Sequence, residues 1–386
     1  MTIGSYTFQT VSVAGATDGT WLGGINNAGE ATGYDAGFGA DHYPHAFTYA
    51  NSVISPITVN DSSPNQATAA GINNGGQLVG TEGSSPVGVF GYLRSPDGSV
   101  QRISGITPSS QFGLFDQAYG INDMSQVVGA DFAFSQHHEG FLWQNGTMSL
   151  FQVTGAAATE GHGINNAGVI VGTADSYGFI DFGGQMFLMA MPSATITDPM
   201  AVNNADTVAG SYFDGTHWHG WIDQAGSLTF IDAPGAADTR ITGINDSNQL
   251  SGSFTPASGG PVQGFIATDP PDPSSIMVRE DYIASLGRDA DAGGLGFWVN
   301  QLNSGLAASA FVADLTGSAE FQALHGQQSD AQYVDSLYVN ALGRPAEAGG
   351  QAGWVGVLQS GATRGDVMAA IAGSPEGQQH FAAGHG

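Results

Sequence analysis

Two aspartates in the last third of the sequence have the spacing of a calcium-binding loop. Asp289 and Asp291 stand in the segment Arg288-Asp-Ala-Asp-Ala-Gly-Gly294, and Asp-x-Asp before a glycine turn is typical of loops that bind Ca²⁺ through oxygen ligands. The twelfth position counted from Asp289 is Asn300 instead of a bidentate glutamate. The segment therefore predicts either a calcium site at Asp289 and Asp291, or a loop whose acids cap the next helix and whose arginine forms an ion pair.

Two histidine clusters, His137-His138-Glu139 and His217-Trp218-His219, are the other candidates for metal binding. Neighbouring side chains on a strand point to opposite faces, so adjacent histidines would be separated, whereas histidines two apart would share a face. Only the second cluster is therefore compatible with a zinc or nickel site. The alternative is that both clusters are repeat positions leading into a strand.

The sequence shows no catalytic constellation, and we expect no enzyme. A sialidase-like site needs clustered arginines, but residues 1–269 contain only Arg94, Arg102 and Arg240. No nucleophile elbow, His-Glu-x-x-His motif or P-loop is present. A glycosidase with two carboxylates stays open as an alternative, since Asp and Glu are abundant, although none departs from the repeat described below.

The charge of the chain limits its partners. There are 34 Asp and Glu against 7 basic residues, all of them arginine, for a net charge of −27. Such a chain repels nucleic acid and anionic membranes and attracts cations such as Ca²⁺, unless the acids serve only solubility. There is no cysteine, which excludes disulfides, thiolate metal sites and a cysteine nucleophile.

The sequence offers no long apolar stretch and no N-terminal signal-peptide pattern. A cytoplasmic protein, a shortened chain and export without a cleaved signal are the three alternatives. An acidic chain without cysteine and lysine is typical of type I secretion cargo, so we expect a secreted or cell-surface protein and no membrane insertion.

A repeat organises the first 268 residues into six copies. An Ile or Val before two Asn or Asp residues recurs, and a glycine always follows eight residues later. Four residues after the Ile or Val comes a Gly, Ser, Asp or Asn that tolerates positive φ in a turn. A third strand follows with a small residue and an aromatic, which we expect to pack between adjacent blades, and a fourth strand comes after a second turn. The six anchoring positions are Ile25, Ile72, Ile121, Ile164, Val202 and Ile244.

The sixth copy lacks its fourth strand, and the first copy is preceded by an extra strand from Thr7. The pattern therefore predicts a six-bladed β-propeller closed by the N-terminal strand, which removes the exposed sheet edges. The repeat resembles the bacterial HAF repeat family, named for a tripeptide that is intact at His45-Ala46-Phe47. That resemblance implies an extracellular location and this architecture, but no reaction.

After a proline-rich linker at 269–275, residues 276–386 predict a small helical domain with a 56-residue duplication. Tyr282 matches Tyr338, Arg288 matches Arg344, and Glu320 matches Glu376. Each unit predicts a helix, a glycine-rich loop, a tryptophan-bearing helix and a further helix. The pattern of Leu-Gly-Arg, acidic glycine loop, Trp and Ser-x-Glu resembles domain of unknown function 4214, which implies attachment, assembly or export.

We therefore expect a non-enzymatic binding or structural protein. Loops of unequal length at 35–43, 81–89 and 131–139 would contact an extracellular glycan or protein, or another copy of the chain. The helical domain would serve anchoring, export or self-assembly. The alternatives are an enzyme acting on extracellular polysaccharide and a calcium-dependent assembly module.

Overall fold

A computed structural model describes residues 2–3, 6–38, 43–59, 66–84, 88–103, 116–132, 138–270 and 272–385. The chain divides into two compact units, Met1–Pro270 and Pro271–Gly386. The first contains the strands and the second contains the helices. No helix among the described residues combines the length and apolar character needed to cross a membrane.

The first unit is a six-bladed β-propeller, as the repeat predicts. Blade one comprises β3 Ala16–Ile25, β4 Ala31–Phe38, β5 His45–Ala50 and β6 Val53–Pro56. Blade two comprises β7 Ala67–Ile72, β8 Leu78–Ser84, β9 Gly88–Arg94 and β10 Val100–Ile103. Blade three comprises β11 Asp116–Ile121, β12 Val127–Asp131, β13 Glu139–Gln144 and β14 Thr147–Phe151. Blade four comprises β15 Thr159–Ile164, β16 Val169–Ala174, β17 Tyr177–Phe182 and β18 Met186–Met189. Blade five comprises β19 Ile196–Val202, β20 Val208–Phe213, β21 Trp218–Gln224 and β22 Ser227–Ile231. Blade six comprises β23 Ala236–Ile244, β24 Leu250–Pro256 and β25 Gln263–Thr268 together with β2 Thr7–Val11.

The N-terminal strand closes the ring. Strand β2 pairs antiparallel with β25, from Thr7 opposite Thr268 to Val11 opposite Gly264, which completes the sixth four-stranded sheet. The preceding short strand β1, Thr2–Ile3, adds a parallel fifth strand to the outer edge of blade five. The repeat alone does not predict β1, because no other copy has a counterpart of it.

The glycine eight residues after each Ile or Val is required by a close approach between the two innermost strands. A Cβ on Gly172 would lie 1.9 Å from the carbonyl oxygen of Glu160 on the neighbouring strand, and one on Gly129 would lie 1.9 Å from that of Gln117. The same contact recurs in the other four blades at 2.0–2.4 Å. Any larger residue would force the inner strands apart, so the repeat keeps this position fixed.

The core lies within and between blades. The aromatic residue that follows the small residue in each third strand is at most 2% exposed, and this holds for Phe47, Tyr92, Phe141, Phe179, Trp221 and Phe265. The turn position four residues after the Ile or Val has positive φ in all six copies: Gly29, Gly76, Ser125, Gly168, Asp206 and Asn248. Both features confirm the sequence interpretation of strand, tight turn and packed third strand.

The second unit contains α1 Pro273–Leu286, α2 Ala292–Asn303, α3 Ala308–Gly317, α4 Ala319–His325, α5 Asp330–Leu342, α6 Ala348–Gln359, α7 Arg364–Ala372 and α8 Pro375–His385. Each repeat has four helices where the sequence pattern predicts three, and in the first repeat Ser318 caps α4 through its side chain and restarts the helix after α3. Helix α1 begins at Pro273, within the range assigned to the linker, because Asp272 caps it. Both repeats contribute to one core that includes Phe311, Tyr333, Leu337 and Met368.

Candidate functional site

The first Asn of each repeated pair closes a ring of hydrogen bonds around one end of the propeller channel. The side-chain amide Nδ2 of Asn73 donates to the main-chain carbonyl of Asn122 in the next blade at 3.0 Å, and that of Asn245 donates to Asn26 at 3.0 Å. The remaining links have the same pattern, so the ring runs through Asn26, Asn73, Asn122, Asn165, Asn203 and Asn245. These buried amides therefore join the six blades.

A second ring lies beside the first and contains Asn27, Asn74, Asp123, Asn166, Asn204 and Asp246. Each of these residues donates its main-chain N–H to the side-chain oxygen of the next member at 2.8–2.9 Å. Asp123 also accepts Nδ2 of Asn74 and Asn166. Burial alone would raise the pKa of Asp123, but these donors hold it below its usual range. The turn acids thus serve the blade-to-blade contacts.

The other end of the channel is not symmetric. Here we define the channel mouth as the six residues four positions before each anchoring Ile or Val, namely Trp21, Thr68, Gln117, Glu160, Asp198 and Arg240. They belong to the inner strands, and their carbonyl oxygens face the recurring glycines. The backbone of this position is therefore fixed by the repeat, whereas its side chain differs in every blade.

His162 in blade four lies between two acids of the channel mouth. Its Nδ1 is 3.1 Å from the Pro199 carbonyl oxygen and 3.2 Å from Asp198 Oδ1, and its Nε2 is 3.6 Å from Glu160 Oε2. Burial alone would lower the pKa of His162, but Asp198 and Glu160 raise it to about 10. The imidazole is therefore a cation at neutral pH and neutralises part of the acidic charge here.

Arg240 supplies a second cation at the channel mouth. Its guanidinium carbon lies 3.6 Å from the centre of the Trp218 ring, a cation–π contact. Partial burial lowers its pKa, while the charges of Asp198 and Asp238 act in the opposite direction. Among the described residues no carboxylate lies within ion-pair distance of this guanidinium, whose N–H donors are therefore available.

Two stacked aromatic residues of blade one lie near Arg240, which belongs to blade six. The rings of Trp21 and Tyr34 are stacked, with centroids 5.3 Å apart and planes 9° apart. Burial raises the pKa of Tyr34, and the charge of Arg240 acts against this rise, which indicates that the two groups are near one another. The channel mouth and its neighbours thus combine aromatic rings, carboxylate acceptors and one cation, Arg240, that forms no ion pair with any carboxylate of the described residues.

The histidine clusters of the sequence analysis do not form one shared site. His217 lies 3.5 Å from Asp238, whereas His219 lies 2.9 Å from Asp232 and 3.4 Å from Asp214. His138 lies 3.6 Å from Glu160. His137 lies outside the described residues, as do 39–42, 85–87 and 133–137 of the three loops proposed for contact.

The two aspartates of the suggested calcium loop have separate structural contacts. Asp289 accepts Nε of Arg279 at 3.0 and 3.1 Å, and Asp291 caps α2 by accepting the N–H of Gly294 at 2.9 Å. Arg288 instead contacts Glu320 through Nε and Nη2, each at 2.7 Å. Within the described residues, no three His, Asp or Glu side chains are arranged to hold a metal ion. Calcium binding stays a prediction, which the native mass with and without a chelator would test.

Of the channel-mouth residues, the sequence singles out only Arg240, and only as one of three propeller arginines too few for the cluster of a sialidase-like site. The missed signal is that one position in an otherwise regular strand is occupied by Trp, Thr, Gln, Glu, Asp and Arg in turn. A position that the repeat does not hold constant, on a strand lining a channel, is where a ligand site would differ from the scaffold.

Comparisons with known proteins agree with the two-unit architecture. The family Domain of unknown function (DUF4214) matches residues 274–324 and 308–381, which confirms the resemblance of the helical region. No curated protein matches the chain. The HAF resemblance stays a prediction.

Several solved structures are similar to the propeller at low identity. They include virginiamycin B lyase from Staphylococcus aureus, with 10% identity, 68% of this chain and 99% of that chain covered, and a TM-score of 0.43. A protein of unknown function from Dyadobacter fermentans matches with 12% identity, the same coverage and a TM-score of 0.44. The SapL1 lectin in complex with alpha methyl fucoside matches with 8% identity, 67% and 99% coverage, and a TM-score of 0.38. At these values the likenesses carry no functional argument.

Proposed function

We propose that this chain is a non-enzymatic, exported binding protein whose propeller recognises a carboxylated saccharide at the channel mouth. The observation that carries the proposal is Arg240, a cation without an anionic partner among the described residues, held against the face of Trp218. In a chain with 34 acidic and 7 basic residues, acids to pair with an arginine are abundant. An arginine for which the described part of such a chain supplies no carboxylate partner is suited to a carboxylate from outside.

The surroundings of Arg240 favour a saccharide over a simple carboxylate. Asp198 and Asp238, whose charges act on Arg240, offer carboxylate acceptors for hydroxyl groups, and the Trp21–Tyr34 pair offers aromatic surface for the apolar face of a sugar ring. The contacts of His162 with Asp198 and Glu160 reduce the negative charge that would repel an anionic ligand. A uronic-acid oligosaccharide carries the matching combination of one carboxylate and many hydroxyls.

The carboxylates at the channel mouth favour binding over hydrolysis. A glycosidase needs one carboxyl group that is protonated near neutral pH to act as general acid. The contact with His162 is the main factor that lowers the pKa of Glu160, and partial burial acts against it. Glu160 is therefore ionised at neutral pH and suits an acceptor. Incubating the protein with oligogalacturonate and with a neutral galactose oligomer, and assaying for released reducing ends, would test the enzyme alternative directly.

The binding test compares oligogalacturonate with a neutral galactose oligomer by isothermal titration calorimetry. Arg240→Ala should weaken binding of the uronate at least tenfold, which corresponds to about 1.4 kcal/mol. The reason is that the variant loses the arginine that would pair with the carboxylate of the uronate. Arg240→Lys should recover part of it, since lysine keeps the charge but not the planar fork. Arg94→Ala is the matched control, because Arg94 donates to the Thr58 carbonyl and does not belong to the channel mouth.

Unchanged uronate affinity in Arg240→Ala would contradict the proposal, as would equal affinity for the neutral oligomer. Binding of an acidic peptide with no binding of either saccharide would replace the saccharide by a protein partner. For the helical unit, which matches the DUF4214 family, we propose a role in anchoring, export or self-assembly. Comparing the secreted amounts and native masses of the full chain and a chain ending at Pro270 would test it.

A further inference from the structure

The helical unit contains a cavity that the proposed function does not use. It has a volume of about 810 Å³ and is lined by residues of α1, α3, α7 and α8. Most of its wall is apolar, including Ile276, Met277, Val312, Ala313 and Ala369. A volume of this size accommodates a small organic molecule.

One acid on this wall is buried as deeply as a core residue. Asp281 of α1 is 3% exposed, and among the described residues no donor forms a hydrogen bond with its carboxyl group. The 56-residue duplication places Asp281 opposite Leu337, which is fully buried in the core at 0% exposure. At this position the first repeat therefore has a carboxyl group with no hydrogen-bond donor among the described residues. The second repeat has a leucine there, which is what packing in an apolar core favours.

A buried carboxyl without a partner is costly, so its retention calls for a compensating group. Burial and then the neighbouring Glu280 raise the pKa of Asp281 to about 7. The other titratable groups facing this region are Tyr333 of α5 and Asp366 of α7, and the latter is engaged with Thr363 in a capping box. Among the described residues that line the cavity, none is basic.

We propose that this cavity binds an organic amine, with its ammonium group on the carboxylate of Asp281 and its hydrocarbon part against Ile276, Met277 and Val312. The ammonium supplies the missing donors, and the hydrocarbon buries apolar surface. Glu280 adds negative charge at the wall and strengthens the preference for a cation. The chain contains no lysine, so the ammonium of a lysine in a second copy cannot occupy this site.

The test uses the full chain and three probes of equal length: hexylammonium, 1-hexanol and hexanoate. Calorimetric titration at about pH 8 should show hexylammonium binding at least tenfold more tightly than either of the other two. Asp281→Asn and Asp281→Leu should each lose at least tenfold in affinity for hexylammonium. The leucine variant is expected to fold, because leucine occupies the equivalent core position in the second repeat. Asp314→Asn, on the exposed surface of α3, removes an acid away from the cavity and should bind as the unaltered protein does.

A pH series on the unaltered protein gives an independent readout that requires no variant. Affinity for hexylammonium should fall about tenfold per pH unit below about pH 7, as Asp281 takes up a proton. Equal binding of 1-hexanol and hexylammonium, absence of hexylammonium binding, or full affinity in Asp281→Asn would each overturn the proposal. Binding of Nα-acetyl-lysine amide as tightly as hexylammonium would assign the site to a lysine of a partner protein, and weaker binding would assign it to a free amine.

Discussion

Arg288 and Glu320 lie 32 residues apart and form a two-pronged contact, with Arg288 Nε on one carboxylate oxygen and Nη2 on the other, each at 2.7 Å. The second repeat reproduces the contact between Arg344 and Glu376, also 32 residues apart. The contact therefore ties the loop after the first helix of each repeat to the start of its last helix. It explains why Leu-Gly-Arg and Ser-x-Glu recur together in both halves of the duplication.

Removing this contact should have a small and salt-dependent effect. Glu320→Gln is expected to lower the free energy of unfolding of the helical unit by no more than about 1 kcal/mol, because both side chains are more than a third exposed. Thermal unfolding at about 0.05 M and about 1 M salt would measure it, and the difference from the unaltered protein should shrink at high salt. The control is Asp314→Asn, which removes an exposed acid of α3 outside this contact. A salt-independent loss would contradict an electrostatic role.

The ring of buried asparagines should contribute much more to stability. Asn245→Ala removes the link between the last and first blades and also the acceptor Oδ1, to which the N–H groups of Ser247 and Gln249 donate. We expect a loss of about 2 to 3 kcal/mol, because buried main-chain groups lose their partners. Chemical unfolding would measure it, with Gln224→Ala at the exposed end of β21 as the control amide. Equal stability of the two variants would show that the ring is not a stabilising feature.

The recurring glycine can be tested in the same way. Gly172→Ala would place a Cβ 1.9 Å from the Glu160 carbonyl oxygen, so the strand must shift, and we expect a loss of about 1 to 3 kcal/mol. Gly83→Ala is the matched control, since its nearest neighbour is 3.9 Å away in Val89. The same Gly172 variant should also weaken saccharide binding, because Glu160 belongs to the channel mouth. Unaltered unfolding of Gly172→Ala would refute the close-approach explanation.

The sequence predicts the propeller well because its regular positions are dictated by the backbone. Close approach at Gly172 and positive φ at Ser125 constrain residue type in every blade, and repetition makes such constraints visible. The N-terminal closure follows from counting strands. By contrast, β1 has no counterpart in any other copy, and no rule of composition or periodicity demands it.

The candidate sites are much less predictable, since each depends on groups brought together from different blades or helices. Arg240 and Trp218 are both visible in the sequence, but their contact joins an inner strand to another strand of the propeller. Asp281 could have been noticed, because the 56-residue alignment sets it against Leu337. Its burial and its place on a cavity wall required the structure. The pairing of Arg288 with Glu320 likewise became clear only in three dimensions.

The titration of His162 should make the propeller less stable in alkali. Its pKa is raised in the folded state to about 10, so its stabilising contribution is complete below about pH 6.5 and is lost as the pH rises through about 10. His162→Gln should therefore lower the melting temperature at about pH 7 and have less effect at about pH 10.5. His217→Gln, whose imidazole is half exposed, is the control. A deficit of His162→Gln that did not change with pH would contradict the imidazolium assignment.

Replacing Asp281 should stabilise the helical unit, whereas replacing His162 should destabilise the propeller. Its pKa is about 7 in the folded state against about 4 when unfolded, so the folded state holds the extra proton between these values. Stability is therefore complete below about pH 4 and falls as the pH rises towards 7. Asp281→Leu removes this penalty, and it should raise the melting temperature of the helical unit more at about pH 8 than at about pH 4. Calorimetry of both proteins at the two pH values would measure the difference. Hexylammonium at a concentration that just saturates the unaltered protein should raise its melting temperature at about pH 8 and raise that of Asp281→Leu much less, because the variant lacks the carboxylate that pairs with the ammonium. A variant that gains no stability at about pH 8 would show that the carboxyl is already compensated within the fold.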